Sequence, residues 1–322
     1  MKAFLTGASG FIGRHLAREL LRRCWTVTAL SRRRPPVEAP GLRHVRGDIA
    51  DRTLLEKELQ GADALFHLAS SLGSALIPRA EFFRVNAHGT RTVLEAAAAA
   101  GVKIVIHFST AGVLGHVRKG DIADEDYPLR PRDIYDRSKL EGEMIALEYA
   151  RMGLDVRVIR PGWVYGPEDR RTFKLVRAVA RGRLILPGSG RTLQTPVHVS
   201  DLTDGTFLCH EFGRRGEIYH LAGEEALSVR DMTAAIARAA GRKPPRLRLP
   251  LLPVKIGAWL MGGAFRLFKR EAPINMSRLA FFIHPKPLDS RKATLELGYR
   301  PKVKFEEGMR RTVRWYRDEG WL

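Results

Sequence analysis

Short apolar runs alternate with amphipathic stretches through the first half of the chain. Lys2–Thr6 is an apolar run that predicts a strand, and Gly10–Arg22 carries its leucines on one side and predicts a helix. Trp25–Leu30 predicts a second strand. A strand, a glycine-containing turn, a helix and a strand within about thirty residues form a βαβ unit, whose two strands run parallel.

The alternation continues along the chain. Ala64–Leu68, Val102–Phe108 and Val156–Arg160 predict strands, and Thr90–Ala100 and Lys139–Arg151 predict helices. This order is typical of an α/β protein with a doubly wound parallel sheet and helices on both faces. Beyond residue 161 the predicted elements are shorter, which indicates a smaller second lobe.

An apolar segment, Leu247–Phe268, lies in this second part and is interrupted by a few basic residues. Pro250 and Pro253 and the internal charges argue against a membrane-spanning helix. Three interpretations are open: packing in the core of the lobe, lining of a hydrophobic pocket that includes Trp259, or docking on an anionic membrane. The last would use Arg246, Arg248, Lys269 and Arg270.

The amino-acid composition narrows the class of protein. The chain has 322 residues, 44% of them hydrophobic, so it can form a full α/β core and a smaller lobe. Two cysteines make a disulfide framework unexpected, and the N-terminus has no secretory leader pattern. We therefore expect a cytoplasmic protein, with membrane association left open.

The formal net charge is +20, from 55 Lys and Arg against 35 Asp and Glu. Such a charge suits nucleic acid, anionic lipid or acidic substrates. The basic residues are scattered and accompany no nucleic-acid-binding motif. An Arg-rich solvated surface is therefore favoured, ahead of membrane attraction, and specific nucleic-acid binding is not expected.

The first turn of the chain carries candidate chemistry. Gly7, Gly10 and Gly13 follow a predicted strand, and Phe11 and Ile12 lie at the start of the predicted helix. Glycines at this spacing allow backbone N–H groups to approach a pyrophosphate at the positive end of the helix. The motif predicts a dinucleotide site, and the alternative is a tight turn without a ligand.

Ser31 ends the second predicted strand, eighteen residues after Gly13, and precedes Arg32–Arg34. NAD enzymes usually place an acidic residue here against the ribose 2′-OH. A serine beside a guanidinium would instead accept a 2′-phosphate, which favours NADP(H) over NAD(H). The arginines could also simply solvate a loop.

Asp48 and Ile49 follow another strand-like run, Arg43–Arg46. Asp48 could accept a hydrogen bond from an adenine amino group, or it could cap a helix that begins near Thr53.

Farther along, Tyr135 and Lys139 lie four residues apart and share one helix face. With a dinucleotide site upstream, this pair predicts a proton donor that serves the cofactor. A solvated helical pair is the alternative.

These segments together resemble the extended short-chain dehydrogenase/reductase family, also called the NAD-dependent epimerase/dehydratase family, over nearly the whole chain. The tail, residues 288–301, is similar to the 3β-hydroxysteroid dehydrogenase and dihydroflavonol reductase branches. The resemblance implies a Rossmann domain with a C-terminal substrate lobe. The segments that carry it are Thr6–Gly13, Phe66–Ala69, Asn86–Thr90, Phe108–Thr110, Tyr135–Lys139, Arg160–Pro167 and Val197–Asp201.

The resemblance also implies roles for individual residues. Tyr135 is the expected acid/base, and Lys139 lowers the pKa of that tyrosine and holds the nicotinamide ribose. Thr110 is the hydroxyl residue beside the substrate oxygen, and Ser109 faces the cofactor. Among further positions, His67 is expected to be structural and Asn86 to act indirectly. The expected cofactor contacts that follow later strands are Leu68, Ala69, Ser70, Pro161 and Val164.

Departures from the family pattern narrow the set of reactions that we expect. The 4,6-dehydratases follow the active-site Thr with Asp and Glu, whereas Ala111 and Gly112 stand here, which argues against dehydration. Gln194 replaces the Arg that grips the diphosphate in nucleotide-sugar epimerases, although Arg191 could partly take over that role. No metal-ligand spacing such as HExxH occurs among the histidines.

We therefore expect a dinucleotide-binding domain over 1–165 and about 196–222, and a substrate lobe over 166–195 and 223–322. The favoured activity is interconversion of a secondary alcohol and a ketone on a bulky apolar molecule, such as a steroid, flavonoid or lipid. A nucleotide-sugar epimerase and a non-catalytic dinucleotide sensor are the alternatives. A small-molecule substrate is expected, and a peripheral membrane contact through 246–270 and a homodimer are left open.

Overall fold

The structure, a computed structural model, describes residues 1–32, 38–72, 77–267 and 276–322. Its strands are β1 Lys2–Thr6, β2 Thr26–Ser31, β3 Leu42–Arg46, β4 Ala64–His67, β5 Ile104–Phe108, β6 Val156–Pro161, β7 Trp163–Tyr165, β8 Leu186–Pro187, β9 Leu193–Gln194, β10 Pro196–His198, β11 Ile218–Leu221, β12 Leu227–Ser228 and β13 Arg248–Leu249.

Helices connect most of these strands, and two shorter turns lie at the site: a π-helical turn, Arg84–His88, and a 3₁₀ turn, Ala111–Leu114. The α-helices are α1 Phe11–Arg22, α2 Arg52–Glu58, α3 Arg79–Phe83, α4 Gly89–Ala99, α5 Ile134–Arg151, α6 Arg170–Ala180, α7 Val199–Phe212, α8 Val229–Ala239, α9 Leu251–Leu267, α10 Met276–Ile283, α11 Arg291–Leu297 and α12 Phe305–Asp318.

Seven of the strands form one parallel sheet in the order β3–β2–β1–β4–β5–β6–β11. The strand order reverses between β1 and β4, where Thr6 is in register with His67. Ligands of open α/β sheets bind at the carboxyl ends of the strands beside such a reversal. The predicted fold class is confirmed, and this crevice is where the glycine turn lies.

Helix α5 begins earlier than predicted, at Ile134 rather than Lys139. The cause is a cap: the Asp133 carboxylate accepts a hydrogen bond of 2.8 Å from the Asp136 N–H. Tyr135 therefore lies in the first turn of the helix that also carries Lys139. This start fixes the tyrosine and the lysine in one rigid element.

Two cores hold the sheet between helices. On one face α1, α7 and α11 bury residues such as Leu16, Phe207 and Leu297, and on the other α2, α4 and α5 bury residues such as Leu94 and Ile145. Because α11 packs in the first core, part of the expected lobe range 223–322 returns to the sheet. A third core joins α6, α8 and α12 in the lobe itself.

Helix α9 corrects part of the expectation for residues 247–268. Trp259 is 71% exposed, and Leu252, Ile256 and Leu260 are also exposed. Core packing is therefore wrong for these four side chains, and Trp259 lies at the surface. Arg246 and Arg248 are exposed, whereas Phe268, Lys269 and Arg270 lie outside the described residues.

Among the described residues, no helix is both long enough and apolar enough to cross a membrane. Cys24 is exposed and Cys209 is buried, and both are free thiols.

Candidate active site

The glycine turn is built by close backbone approaches. Gly7 has a φ of +73°, and a Cβ atom there would lie 2.7 Å from the backbone nitrogen of Ala69. A Cβ on Gly13 would overlap the carbonyl oxygen of Gly7. Only glycine fits either position, because one needs a left-handed conformation and the other direct backbone contact. The turn thus packs against Leu68 and Ala69 at the end of β4.

Helix α1 presents free donors above this turn. Gly10 is its extended N-cap and makes no side-chain cap hydrogen bond, and no acidic residue lies in the first turn. The N–H groups of Phe11, Ile12 and Gly13 have no carbonyl acceptor within the helix. These donors, the helix dipole and the missing side chains fit the pyrophosphate of a dinucleotide.

At the end of β2, Ser31 is buried and its Oγ lies 3.1 Å from Nε2 of His44. Arg32 is exposed, and its guanidinium lies 4.0 Å from the Glu81 carboxylate. A 2′-phosphate at this position would share Arg32 with Glu81. Arg33 and Arg34 lie outside the described residues.

Asp48 does not cap a helix. Asp51 caps α2 by accepting from the Leu54 N–H, and the alternative interpretation of Asp48 is therefore wrong. Its carboxylate accepts from the Ala50 N–H at 3.0 Å and lies 3.4 Å from Arg84. Partial burial raises the pKa of Asp48, but these two partners outweigh it and hold the pKa below its usual value.

Arg84 is a residue that the sequence analysis missed. Its guanidinium bridges Asp48 and Glu81, and it therefore connects the expected adenine and ribose ends of the site. Nearby, the Ile49 side chain packs against Gly89, where a Cβ would lie 2.5 Å from Ile49 Cδ1. Ile49 thus forms part of the packed wall beneath this end.

Tyr135 is half-buried at this edge of the sheet. Burial raises the pKa of Tyr135 to about 12, and the charge of Arg171 and a hydrogen bond with Ser70 oppose part of that increase. Ser70, expected along the cofactor, therefore contacts the candidate acid/base. Arg171 belongs to α6, and its approach to Tyr135 could not be read from the sequence.

Lys139 is almost fully buried beside Tyr135 on α5. Its ammonium group donates a hydrogen bond of 2.5 Å to the carbonyl oxygen of Phe108. Burial lowers the pKa of Lys139 to about 8, and the Glu143 carboxylate partly offsets that decrease. The expectation that Lys139 lowers the pKa of Tyr135 finds no support in this arrangement, where the pKa of the phenol is raised and Arg171 is the cation that acts on it.

Ser109 and Thr110 follow β5 at the same edge. The Thr110 hydroxyl accepts a hydrogen bond of 3.0 Å from the Gly112 N–H and starts the 3₁₀ turn. The Ser109 hydroxyl is buried and has no hydrogen-bond partner among the described residues. A buried hydroxyl without a partner at the carboxyl edge of the sheet is a feature that a bound polar cofactor would satisfy.

A polar network supports these residues from behind. Asn86, in the π-helical turn, accepts from the Ser70 hydroxyl and from the Ser71 N–H and donates to the Ser138 hydroxyl. It therefore ties the end of β4 to α5, as an indirect role requires.

His67 is buried between the Thr6 and Thr90 hydroxyls, and burial lowers its pKa to about 3. A neutral, fully partnered imidazole is structural.

Asp136 brings a carboxyl group to the turn after Thr110. A Cβ on Gly112 would overlap its Oδ1 atom, so Asp136 fills the space that a side chain at 112 would take. Burial raises the pKa of Asp136 to about 6, although Lys286, whose Nζ lies 3.9 Å away, lowers it. This contact joins α5 to the segment after α10.

The Gln194 side chain was expected at the substrate site, but it is buried against the protein backbone instead. It is 4% exposed, and its Nε2 donates to the carbonyl oxygens of Phe281 and His284, both at 2.8 Å. The amide is thus used to hold the segment after α10. Arg191 is an exposed residue of the preceding turn.

The segment from Pro161 to Val164 lies beside Ser109, whose N–H donates to the Ile159 carbonyl at 2.8 Å. Pro161 is buried at the end of β6, and Val164 is half-buried in β7. Beyond them, Glu168 adopts a φ of +69° and forms ion pairs with Arg14 and Arg18 of α1. The expected nicotinamide loop is therefore tied to the expected pyrophosphate helix.

Within the described residues, no group of three or more His, Cys, Asp or Glu side chains has a geometry that could hold a metal ion.

Comparison with known proteins identifies the class. The sequence profile of the NAD dependent epimerase/dehydratase family matches residues 3–222. The chain belongs to this family. It is an enzyme of the extended short-chain dehydrogenase/reductase type that uses a nicotinamide dinucleotide, and the predicted resemblance is confirmed.

Individual relatives carry out different reactions. A Stigmatella aurantiaca protein named 4-hydroxy-2-methyl-3-oxo-4-farnesyl-3,4-dihydroquinoline-1-oxide ketoreductase is 32% identical over 96% of this chain and 95% of its own. Sterol demethylase protein B of Methylococcus capsulatus is 31% identical over 100% of both chains. The crystal structure of DesIV, a dTDP-glucose 4,6-dehydratase from Streptomyces venezuelae with NAD bound, has 32% identity and a TM-score of 0.81, and covers 100% of this chain and 99% of its own.

Proposed function

We propose that this enzyme is an NADP(H)-preferring oxidoreductase that interconverts a secondary alcohol and a ketone on a bulky apolar substrate. The observation that carries the proposal is the position of Tyr135, a protonated phenol in the first turn of α5 and in contact with Ser70. Such a group can give a proton to a ketone oxygen or take one from an alcohol.

Separate residues are assigned to cofactor binding, proton transfer and substrate orientation. The α1 N-terminus, Gly7 and Gly13 hold the dinucleotide, whose nicotinamide supplies or accepts the hydride. Tyr135 transfers the proton at its phenol oxygen, and the Thr110 hydroxyl orients the reacting oxygen. Lys139 supplies a buried ammonium group one helical turn from Tyr135, and we assign it to holding the expected nicotinamide ribose.

The substrate class follows from the surroundings and from two relatives. Gln194 is engaged with backbone carbonyls, which is consistent with a site that does not grip a diphosphate. One relative is named for a farnesyl quinoline ketone and another for a sterol. Both names describe large apolar molecules, and both support an apolar substrate here.

The cofactor preference rests on Ser31 and Arg32. The residue that ends β2 is Ser31 and not an Asp or Glu, and Arg32 is a cation beside it. NAD is bound in the DesIV structure, so the preference for NADP(H) is a proposal about this chain. A cytoplasmic location, the division into two domains and a homodimer also stay predictions.

The experiment is a turnover assay at the reduced-nicotinamide absorbance band. Sterol ketones, farnesylated quinolones and flavonoid ketones would each be offered with NADPH. Multiple turnovers with at least one of them are expected. Catalytic conversion of nucleotide sugars alone, without net consumption of NADPH, would contradict the proposal.

Nucleotide-sugar dehydration or epimerisation is the second candidate, and Asp136 favours it. Its carboxyl group occupies the space beside Gly112, the position where the dehydratases carry Glu. Incubation with dTDP-glucose and dTDP-galactose, followed by chromatography of the nucleotide sugars, tests this candidate. Formation of a 4-keto-6-deoxy sugar that is lost in Asp136→Asn would establish it.

A further inference from the structure

Helix α9 presents an apolar stripe to its surroundings. Leu252, Ile256, Trp259 and Leu260 are 69%, 51%, 71% and 58% exposed. At 3.6 residues per turn these positions fall within about 100° of the helix circumference, so they form one continuous outward face. The opposite side, which includes Ala258, is the side that packs on the protein.

The residues before α9 extend this surface. Leu247 and Leu249 are also exposed, and they lie within a few residues of the stripe. Scattered exposed leucines need no explanation, but a contiguous apolar patch marks a surface that binds something.

The charge around the stripe has one sign. No Asp or Glu occurs in the sequence between Asp231 and Glu271. The described part of this interval carries exposed basic side chains before and within α9, namely Arg242, Lys243, Arg246, Arg248 and Lys255. A helix with an outward apolar face, a tryptophan and flanking cations is typical of segments that lie in the interface of an anionic bilayer.

A second copy of the chain is a poorer partner for this surface. Two copies related by a twofold axis would bring the same basic residues together, and each chain carries a formal net charge of +20. Anionic lipid headgroups carry the opposite charge and attract such residues to the membrane surface.

The stripe belongs to the expected substrate lobe. Burial is the main cause of the lowered pKa of His284, and Lys255 of α9 lies close enough to this imidazole to contribute to the decrease. Gln194 holds the His284 carbonyl, and Phe281 packs on Trp163 with ring centroids 5.0 Å apart. Trp163 directly precedes Val164 of the expected nicotinamide loop.

We propose that α9 docks the enzyme on anionic membranes, with Leu252, Ile256, Trp259 and Leu260 in the headgroup–acyl boundary and the basic residues on the lipid headgroups. The proposed apolar substrate would then reach the lobe that carries α9 from the bilayer. The docking itself does not depend on the proposed reaction and can be tested without a substrate.

The test is binding of the full chain to vesicles of phosphatidylglycerol and phosphatidylcholine, compared with phosphatidylcholine alone. Sedimentation should show binding to the anionic vesicles that weakens about tenfold or more at high salt. Trp259 emission should shift to the blue on binding, since the other four tryptophans are buried or half-buried. The shift should disappear in Trp259→Phe.

The decisive variant is Ile256→Glu with Leu260→Glu, and Met152→Glu with Leu295→Glu is its matched control. Met152 and Leu295 are 72% and 84% exposed and lie on other surfaces. Both variants should keep the wild-type unfolding temperature and NADPH affinity, and only the α9 variant should lose vesicle binding by about tenfold or more.

Equal vesicle binding by both variants, or no binding by the wild type, would overturn the proposal. A wild-type dimer that becomes monomeric in the α9 variant, without vesicle binding, would assign the stripe to an interface between copies. Vesicle binding without reductase activity would refute the proposed function and leave the docking intact.

Discussion

Lys139 donates a hydrogen bond of 2.5 Å from its buried ammonium group to the carbonyl oxygen of Phe108. Phe108 ends β5 and directly precedes Ser109 and Thr110, so this bond fixes the lysine of α5 against the strand that carries the candidate hydroxyl residues. Burial lowers the pKa of Lys139 to about 8. The charge of this lysine is therefore present below pH 8 and is lost above it.

Loss of the Lys139 charge predicts a pH dependence of kcat/KM, because kcat/KM reports the ionisation of groups in the free enzyme. Burial raises the pKa of Tyr135 to about 12, so the phenol stays protonated across the working range. In the direction of ketone reduction, kcat/KM should fall above about pH 8 as Lys139 loses its proton. Lys139→Arg keeps a charge to much higher pH and should abolish this decrease, even if its rate is lower. An unchanged decrease in Lys139→Arg would assign it to another group.

Ser31 and Arg32 should set the cofactor preference. A charge-assisted contact with a 2′-phosphate contributes about 1.5–3 kcal/mol, or roughly ten- to a hundredfold in affinity. Ser31→Asp with Arg32→Ala should invert the preference toward NAD(H) in calorimetric titrations. Glu81→Gln should tighten NADPH more than NADH, because Glu81 lies 4.0 Å from Arg32 and competes for it. Tighter binding of NADH than of NADPH by the wild type would refute this assignment.

The contact between Gly112 and Asp136 can be measured by a double-mutant cycle. A Cβ at 112 overlaps Asp136 Oδ1, so Gly112→Ala should reduce the free energy of unfolding by about 1–3 kcal/mol. Adding Asp136→Ala should recover about 1 kcal/mol or more of that loss, as expected for residues in contact. Gly263→Ala is the control, since a Cβ there meets no atom within 4 Å. Strictly additive effects would show that the two residues do not touch.

We expect Gln194 to contribute to the stability of the fold and not directly to substrate binding. Gln194→Met removes two hydrogen bonds to the carbonyls of Phe281 and His284. It should lower the free energy of unfolding by about 1–3 kcal/mol, because both part-buried acceptors lose their donor. Denaturant unfolding checks this. A variant with wild-type stability and a raised KM alone would return Gln194 to the substrate site.

The sequence predicts the sheet, the glycine turn and the helix that carries Tyr135 because their signals are local. Periodicity and glycine spacing report directly on the backbone. Arg84, Asp136 and Arg171 were missed because each acts through a partner far away in the chain. For Gln194, the sequence indicated a missing diphosphate clamp, but only the structure shows the backbone carbonyls that the amide binds.

Helix α9 shows a second kind of limit. Its apolar composition is equally compatible with a core helix, a pocket wall and a surface helix. Exposure of Trp259 depends on which side of the helix packs on the protein, and hydrophobicity alone does not specify that side. The rest of the second lobe is similar, since its short elements are positioned by contacts between distant segments.

The most direct test of the central claim is kcat for Tyr135→Phe on a ketone that the wild type reduces with NADPH. Tyr127→Phe is the matched control, since it removes a phenol oxygen that bonds only Arg118 and Asp121 in the described hydrogen-bond network. NADPH affinity should stay close to that of the wild type in both variants. Only Tyr135→Phe should lose about 100-fold or more in kcat, as removal of a general acid does. A wild-type kcat in Tyr135→Phe would contradict the proposed mechanism.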